Sequence, residues 1–357
     1  MQNHSLSNLL PPHYRRLVED WLQDDVPTLD IGGYVVGSDP VEAYLLFKGV
    51  PEGACGAAVQ GAVLAGVPFF SAVFESLGCT VSWTVEEGSV LQPPCRAATV
   101  RGPARAVLLG ERTALNILTR ASGVATAARA MQLLCQRHGW GGEVAGSRKL
   151  TPGSFRLVEK YALLVGGVST HRMDLSQMTM LKGVCRRRAG QVWLLPAGRL
   201  SQPLTHPFPS LPLHTDNHIW AAGSITAAVK AATSVAGFST KVEVEARSLE
   251  EALEAAAAGA AIVMLDNYPS PAALHADAAA VKAQHPGVLI EASGGIRLDT
   301  LASYFSPHVD ILSSGSLTQG YATADFSLKV NKGKGVGSIA GNLAAGTASS
   351  SEAAGKQ

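Results

Sequence analysis

Charged residues are spread through the second half of this 357-residue chain in a pattern that could handle a strongly anionic substrate. Arg148, Lys149, Arg172 and Lys182 supply cations, with Arg112 a possible fifth, and Glu245 and Asp266 supply carboxylates. Ser293, Gly294 and Gly295, in "EASGGI", are read as opening onto a helix, where bare backbone N–H groups suit a phosphate. Cations, a phosphate cradle and two acids together fit a phosphorylated sugar with a polyanionic leaving group and Mg²⁺. His171 and His218 are further candidates for acid/base work. Each feature alone has an ordinary reading. Arg148-Lys149 could be a solvated strand end, Glu245 could pair with Lys241 or Arg247 on an exposed edge, and Gly-Gly after a strand is often only a turn.

Their positions on the predicted elements give them weight. "GEVAGSRK", "MTMLK", "TKVEVEA", "AIVMLDN", "VLIEASGG" and "VDILSSG" read as strands, separated by helical stretches such as "SFRLVEKYALLVGG", "SITAAVKAATSVAG", "SLEEALEAAAAG", "SPAALHADAAAVKAQHPG" and "RLDTLASYFSP". Thr240, Ser248 and Ser270 fall near element starts, as caps and turn formers should. Strands joined by such crossovers build a parallel sheet. The polar residues gather at the strands' C-terminal ends: Arg148-Lys149, Lys182, Glu243 and Glu245, Asp266-Asn267, Glu291 with Ser293 to Gly295, and Ser313 to Gly315. A βα barrel brings those ends to one mouth, whereas an open doubly wound sheet uses a single switch point, so the pattern favours a barrel.

The first part of the chain has a different texture. From Leu29 to about Val107, short β-type runs broken by Gly and Pro predict a mostly antiparallel sheet with one face covered. "ERTALNILTRASGVATAARAMQLLCQRHG" then predicts a long helix from Glu111, with Gly139 as its stop. Net charge is +1, so no global field draws the chain to nucleic acid or membrane. Its longest apolar stretch, Gly61 to Phe74, is too short to span a bilayer, and no signal pattern opens the chain. Five cysteines without a C-x-x-C spacing are expected as reduced thiols, consistent with a cytoplasmic location. Residues 333–357, rich in Gly, Ala and Ser, are expected to be a disordered tail.

In this order, "GERTALN", "AGSRKLTPG", "RLVEKYALLVGGVSTHRMDL", "DNHI", "KVEVE", "LDN", "EASGGI" and "DILSSGSLT" closely resemble quinolinate phosphoribosyltransferase, over about Leu9 to Val330. The resemblance implies an α/β fold with an N-terminal α/β sandwich domain (1–125) and an incomplete (open) parallel βα barrel (126–315), with 316–332 returning to the first domain. It implies reaction of quinolinate with phosphoribosyl pyrophosphate and Mg²⁺ to give nicotinate mononucleotide, pyrophosphate and CO₂, in a homodimer or higher oligomer with shared active sites. Carried over, Arg112 resembles the arginine supplied by the neighbouring subunit. Arg148, Lys149, His171, Arg172 and Lys182 resemble the substrate-carboxylate and pyrophosphate contacts. Glu245 and Asp266 resemble the acids near the ribose hydroxyls and the metal, and Ser293, Gly294, Gly295 and Gly315 the 5′-phosphate clamp. Lys149, Lys182, Glu245 and Asp266 are the residues expected to act in catalysis.

The chain departs from the family pattern at one large point. Lys182 should run directly into Asp-Asn-His, but Gly183 to Thr215 intervene before Asp216. This passage has no clean period, contains Arg186 to Arg188 and ends in "PLTHPFPSLPLHT". A structureless loop of that size inside a compact domain is unusual. Its ends admit splice-site codons, and its pyrimidine-codon residues fit an acceptor tract, so the segment reads as a translated intron. A genuine family-specific loop is the other reading of its origin; either way, an insertion at the site mouth beside Lys182 predicts strongly reduced turnover, and the alternative to an active enzyme is a catalytically impaired chain acting only as an oligomer partner. Leu150, where threonine is usual, the added Ser154, and an apparent lengthening over Gly49 to Gln60 are smaller departures.

Overall fold

The computed structural model describes residues 5–51, 59–182 and 218–331. The segment Gly183 to Thr215, the tail from 333 and most of the Gly49 to Gln60 stretch lie outside the described residues. Two compact units divide the chain: 1–134 with 149–170 and 317–357, and 135–148 with 171–316. The sequence reading divides the chain at 125/126 and at 315/316, with 316–332 returning to the first domain. Here the long helix keeps its residues to 134 with the first unit, and 149–170 returns there. Among the described residues, no helix is long and apolar enough to cross a membrane.

The first unit contains α1 (Tyr14–Asp25), α2 (Ile31–Val36), β1 (Pro40–Gly49), β2 (Ala62–Val63), α3 (Val67–Ser76), β3 (Thr80–Trp83), β4 (Val90–Leu91), β5 (Cys95–Pro103) and α4 (Ala104–His138). It also contains α5 (Arg156–Gly166) and β12 (Asp325–Val330), while the last turn of α4 belongs to the second unit. Its sheet runs β12-β1-β5-β3 and every pairing is antiparallel, as the alternating runs predicted. Ala43, Leu45 and Phe47 are fully buried at alternate positions of β1, the mark of a sheet with one covered face.

Helices α2 and α3 and the start of α4 fall where the sequence predicts strands. Helix α4 begins at Ala104, not Glu111, because "ARAVLLG" combines strong helix formers directly after Pro103, and its Val-Leu-Leu run fits either period. Helix α3 lies inside the region read as strands. Its Phe69, Phe70, Val73 and Phe74 are buried, so the apolar run is a core helix. Gly139, at φ 63°, stops α4 as expected. Gly166 on α5 leaves no room for a side chain, since a Cβ would meet the Ala128 Cβ of α4 at 2.4 Å.

The second unit contains β6 (Glu143–Ala145), β7 (Thr179–Leu181), α6 (His218–Ala222), α7 (Ile225–Ala236), β8 (Val242–Ala246), α8 (Leu249–Ala257), β9 (Ile262–Asp266), α9 (Pro271–Gln284), β10 (Leu289–Ser293) and β11 (Ile311–Ser313). The sheet order is β6-β11-β10-β9-β8-β7 and all five pairings are parallel. β6 and β7 do not pair among the described residues, so the barrel is open between its first two strands. Ser224, Ser248 and Ser270 each accept a hydrogen bond from the third residue on, capping α7, α8 and α9. The helix expected in "RLDTLASYFSP" is only a 3-10 turn, Leu301–Tyr304. There Arg297 N–H donates to Thr300 Oγ1 at 3.0 Å and the Arg297 side chain pairs with Asp299, closing a local turn instead.

Candidate active site

Register alone places the polar residues of the second unit on one surface. Glu243 is level with Met180 and Ile262, Glu245 with Met264, Asp266 with Ser293, Glu291 with Met264 and Ile311, and Ser313 with Ala145. Partners level across a ladder share a face, and alternate residues along a strand return to it. One face therefore carries Glu243, Glu245, Asp266, Glu291, Ser293 and Ser313. The other carries Val244, Ala246, Val263, Leu265, Ile290, Ala292 and Leu312, all fully buried. Because the strands are parallel, the Glu245, Asp266, Ser293 and Ser313 tips lie at one edge.

Deeper on the polar face sits a buried charge cluster. Glu243 is fully buried and Glu291 is 1% exposed. His171 Nε2 lies 3.3 Å from Glu291 Oε2 and 4.0 Å from Glu243. His171 Nδ1 accepts the backbone N–H of Arg172 at 2.9 Å, so the ring proton belongs on Nε2, facing Glu291. This holds His171 at φ 55°, a left-handed conformation uncommon for a residue with a side chain. Arg172 is buried too, donating to the Met178 carbonyl at 3.1 Å and to Met180 Sδ at 3.6 Å.

The electrostatics follow from that burial. Glu243 has its pKa pushed up to about 9, first by burial and then by the neighbouring Glu291 carboxyl. It therefore keeps its proton at neutral pH. Burial, and then the Arg148 guanidinium, push the Arg172 pKa down, while Glu243 and Glu291 oppose them. Two expected cations thus lie within electrostatic reach of each other. His171, Glu243 and Glu291 have ligand atoms within 4.8 Å of one another, close enough for a metal. The adjacent Arg172 guanidinium already supplies positive charge there.

At the rim, Glu245 is paired as one ordinary reading proposed, but in a different setting. Arg247 Nη2 lies 3.0 Å from Glu245 Oε1, with the Glu245 side chain 9% exposed, not on an open edge. Asp266 Oδ2 accepts from the Asn267 amide at 2.5 Å. Glu245 and Asp266 lie on adjacent strands of one face and present hard carboxylate oxygens, which fits Mg²⁺ held through one or two carboxylates and substrate oxygens.

The Gly294-Gly295 turn is shaped by its neighbour. Asn267 N–H donates to the Ser293 carbonyl at 3.1 Å, and a Cβ on Gly294 would lie 2.6–2.8 Å from Asn267 atoms. Gly294 and Gly295 have φ of 107° and 64°. The expected helix does not follow this turn, so no helix dipole reinforces it; bare backbone is what it offers. Ser314 Oγ donates to the Ile296 carbonyl at 2.7 Å, tying the exit of β10 to that of β11, where Gly315 opens the 3-10 turn Gly315–Leu317.

The structure brings Arg148, His171, Arg172, Lys182, Glu245, Asp266, Ser293, Gly294, Gly295 and Gly315 into the second unit. Paired strand stops at Ala145, so exposed Arg148 stands in the loop beyond β6. Half-buried Lys182 follows Leu181, which is level with Val244. His218 is exposed at the start of α6. Arg112 and Lys149 belong to the first unit. Arg112 is exposed on α4, and the Lys149 carbonyl accepts from Thr318 Oγ1 at 2.8 Å. The sequence reading left Glu243, Glu291 and Arg247 out of the site. A signal for the two acids was present: Glu243 precedes Glu245, and Glu291 precedes Ser293, each by two residues on a strand.

Comparisons with known proteins point one way. The family profile "Quinolinate phosphoribosyl transferase, C-terminal domain" matches residues 124–195 and 209–329, and the corresponding N-terminal domain profile matches residues 33–122. The unmatched residues 196–208 fall within Gly183 to Thr215. The chain is 46% identical over 331 residues to the nicotinate-nucleotide pyrophosphorylase [carboxylating] of Homo sapiens, covering 92% of this chain and 96% of that one. Identity to the Dictyostelium discoideum protein of the same name is 41% over 343 residues, covering 92% and 99%. Among solved structures, NadC from Streptococcus pyogenes is similar with a TM-score of 0.70 at 30% identity, covering 90% of this chain and 98% of that one.

Proposed function

The chain belongs to the quinolinate phosphoribosyl transferase family, and from that premise we propose that it transfers a phosphoribosyl group from phosphoribosyl pyrophosphate to quinolinate with decarboxylation. The products are nicotinate mononucleotide, pyrophosphate and CO₂, feeding de novo NAD synthesis. The observation that carries this reading is the single polar sheet face, with Glu245, Asp266 and Ser293 at one edge of parallel strands, Lys182 directly following β7 there, and buried Arg172 deeper in the same unit. Arg148, Arg172 and Lys182 hold the two ring carboxylates and the diphosphate, and His171 orients the ring. Guanidinium forks fix a carboxylate in plane, presenting the ring nitrogen to the sugar carbon. Glu245 and Asp266 receive the ribose hydroxyls and would hold Mg²⁺, which when bound supplies positive charge to the departing diphosphate. Backbone N–H groups at Ser293 to Gly295 and Gly315 clamp the 5′-phosphate.

As the bond to pyrophosphate breaks, the sugar becomes cationic and the leaving group gains charge. Fixed cations stabilise that change without reorganising. The positively charged, alkylated ring nitrogen then stabilises the carbanion left on the adjacent carbon as its carboxylate departs as CO₂, and a proton from water takes the vacated position, so no covalent enzyme intermediate is needed. Arg112 acts from a neighbouring copy, making the working unit a homodimer or larger, in the cytoplasm.

A specific feature favours lowered turnover in this chain. Gly183 to Thr215 begin immediately after Lys182, a residue assigned to the diphosphate and ring, and part of the segment lies outside the family match. The test is to incubate the purified chain with quinolinate, phosphoribosyl pyrophosphate and Mg²⁺, beside a version lacking 183–215. Mononucleotide and CO₂ formed together, faster in the shortened chain, is the expected result. No product from either version would reject the activity, and equal rates would reject the impairment.

A further inference from the structure

Glu291 is not among the groups proposed to touch substrate, yet it faces His171. It lies two residues below Ser293 on β10, almost wholly buried, with Oε2 turned to His171 Nε2 at 3.3 Å. Its other oxygen, Oε1, is buried and accepts no hydrogen bond among the described residues. On the opposite side of the imidazole, Nδ1 accepts the Arg172 backbone N–H at 2.9 Å.

These contacts form a chain from Glu291 through His171 to Arg172. An imidazole with its proton on Nδ1 would set two N–H donors against each other, and the left-handed His171 backbone at φ 55° would lose the bond that holds it. Resting on the proposed quinolinate reading, we infer that Glu291 is a positioning residue: by accepting the Nε2–H of His171 it selects the tautomer that locks the His171-Arg172 dipeptide, and so aims the Arg172 guanidinium at the ring carboxylates. A carboxylate behind an imidazole sets its tautomer in the same way where histidine binds a metal. Here the group being aimed is a guanidinium, anchored on its far side by the Met178 carbonyl. The requirement at position 291 is for an acceptor, and a side-chain amide oxygen meets it.

Glu291→Gln and Glu291→Met separate this role from a structural one. With Gln, the KM for quinolinate stays within about threefold of the parent, because the amide oxygen still accepts. With Met, it rises on the order of tenfold or more, the scale of one lost buried hydrogen bond, while the KM for phosphoribosyl pyrophosphate and the unfolding temperature stay put. A Gln variant as impaired as Met, or equal rises in both KM values, overturns the inference. A second readout needs no turnover: ¹⁵N correlation spectra of the histidine-labelled full chain assign the imidazole proton. Nε2-protonated His171 in the parent, changing in the Met variant, supports the inference even if the chain makes no mononucleotide. Nδ1-protonated His171 in the parent ends it.

Discussion

Glu243 shows at the scale of one residue how the polar face is held together. With no exposure and Glu291 beside it, its carboxyl would lose hydration on ionising and meet a neighbouring acid, so its pKa is pushed up to about 9. The sign of the stability effect follows. The folded chain holds this proton more tightly than the unfolded chain, whose ordinary value is 4.5. The contribution is complete below about pH 4.5 and is lost as pH rises through about 9. Urea unfolding in metal-free buffer should show stability declining over that window, by about 1 kcal/mol per pH unit at steepest, and Glu243→Gln should flatten the decline. An unchanged slope in the variant would place the proton elsewhere. The sequence displayed this acid openly in "KVEVE". It could not display the burial, which depends on β10 bringing the Glu291 carboxyl close to Glu243 on the same face.

Strand exits are where individual elements set the chemistry. Parallel strands were legible because runs such as "AIVMLDN" and "VLIEASGG" are apolar until their tips, and the capping serines of α8 and α9 sat where expected. The misreadings arose where local pattern is ambiguous. "VPFFSAVFES" and "ARAVLLG" satisfy both strand and helix periods, and "RLDTLASYF" is diverted by a side-chain turn at Arg297 and Thr300. Gly294 was legible as a special residue, but not the reason, which is Asn267 packed beneath it. Gly294→Ala combines a forbidden φ with a Cβ 2.6–2.8 Å from Asn267, and should cost about 1–3 kcal/mol of local strain. The expected outcome is a KM for phosphoribosyl pyrophosphate raised tenfold or more, with the KM for quinolinate little changed. Equal effects on both would remove this turn from the phosphate site.

At the scale of the whole molecule, the units interleave along the chain. Residues 149–170 and 317–357 return to the first unit, so Arg148 and Lys149 are chain neighbours that belong to different compact bodies. No periodicity marks that division, because it is set by which side chains each segment buries against. The proposed sharing of sites gives a test at this scale. If Arg112 serves a neighbouring copy, then Arg112→Ala and Arg172→Ala chains, each inactive alone, regain activity when unfolded and refolded together. Every mixed pair then contains one site with both arginines. A mixture as inactive as its components would show that Arg112 serves its own chain or no site.

The central claim is that the cations of the second unit, Arg172 foremost, grip a ring bearing two carboxylates, and calorimetry of ring binding addresses it most directly. Quinolinate should bind the purified chain at least about thirtyfold more tightly than nicotinate, and Arg172→Ala should erase most of the difference, since truncating one partner of a buried charged pair costs about 2 kcal/mol or more. Equal binding of the two acids, or a preference untouched by Arg172→Ala, would contradict the account.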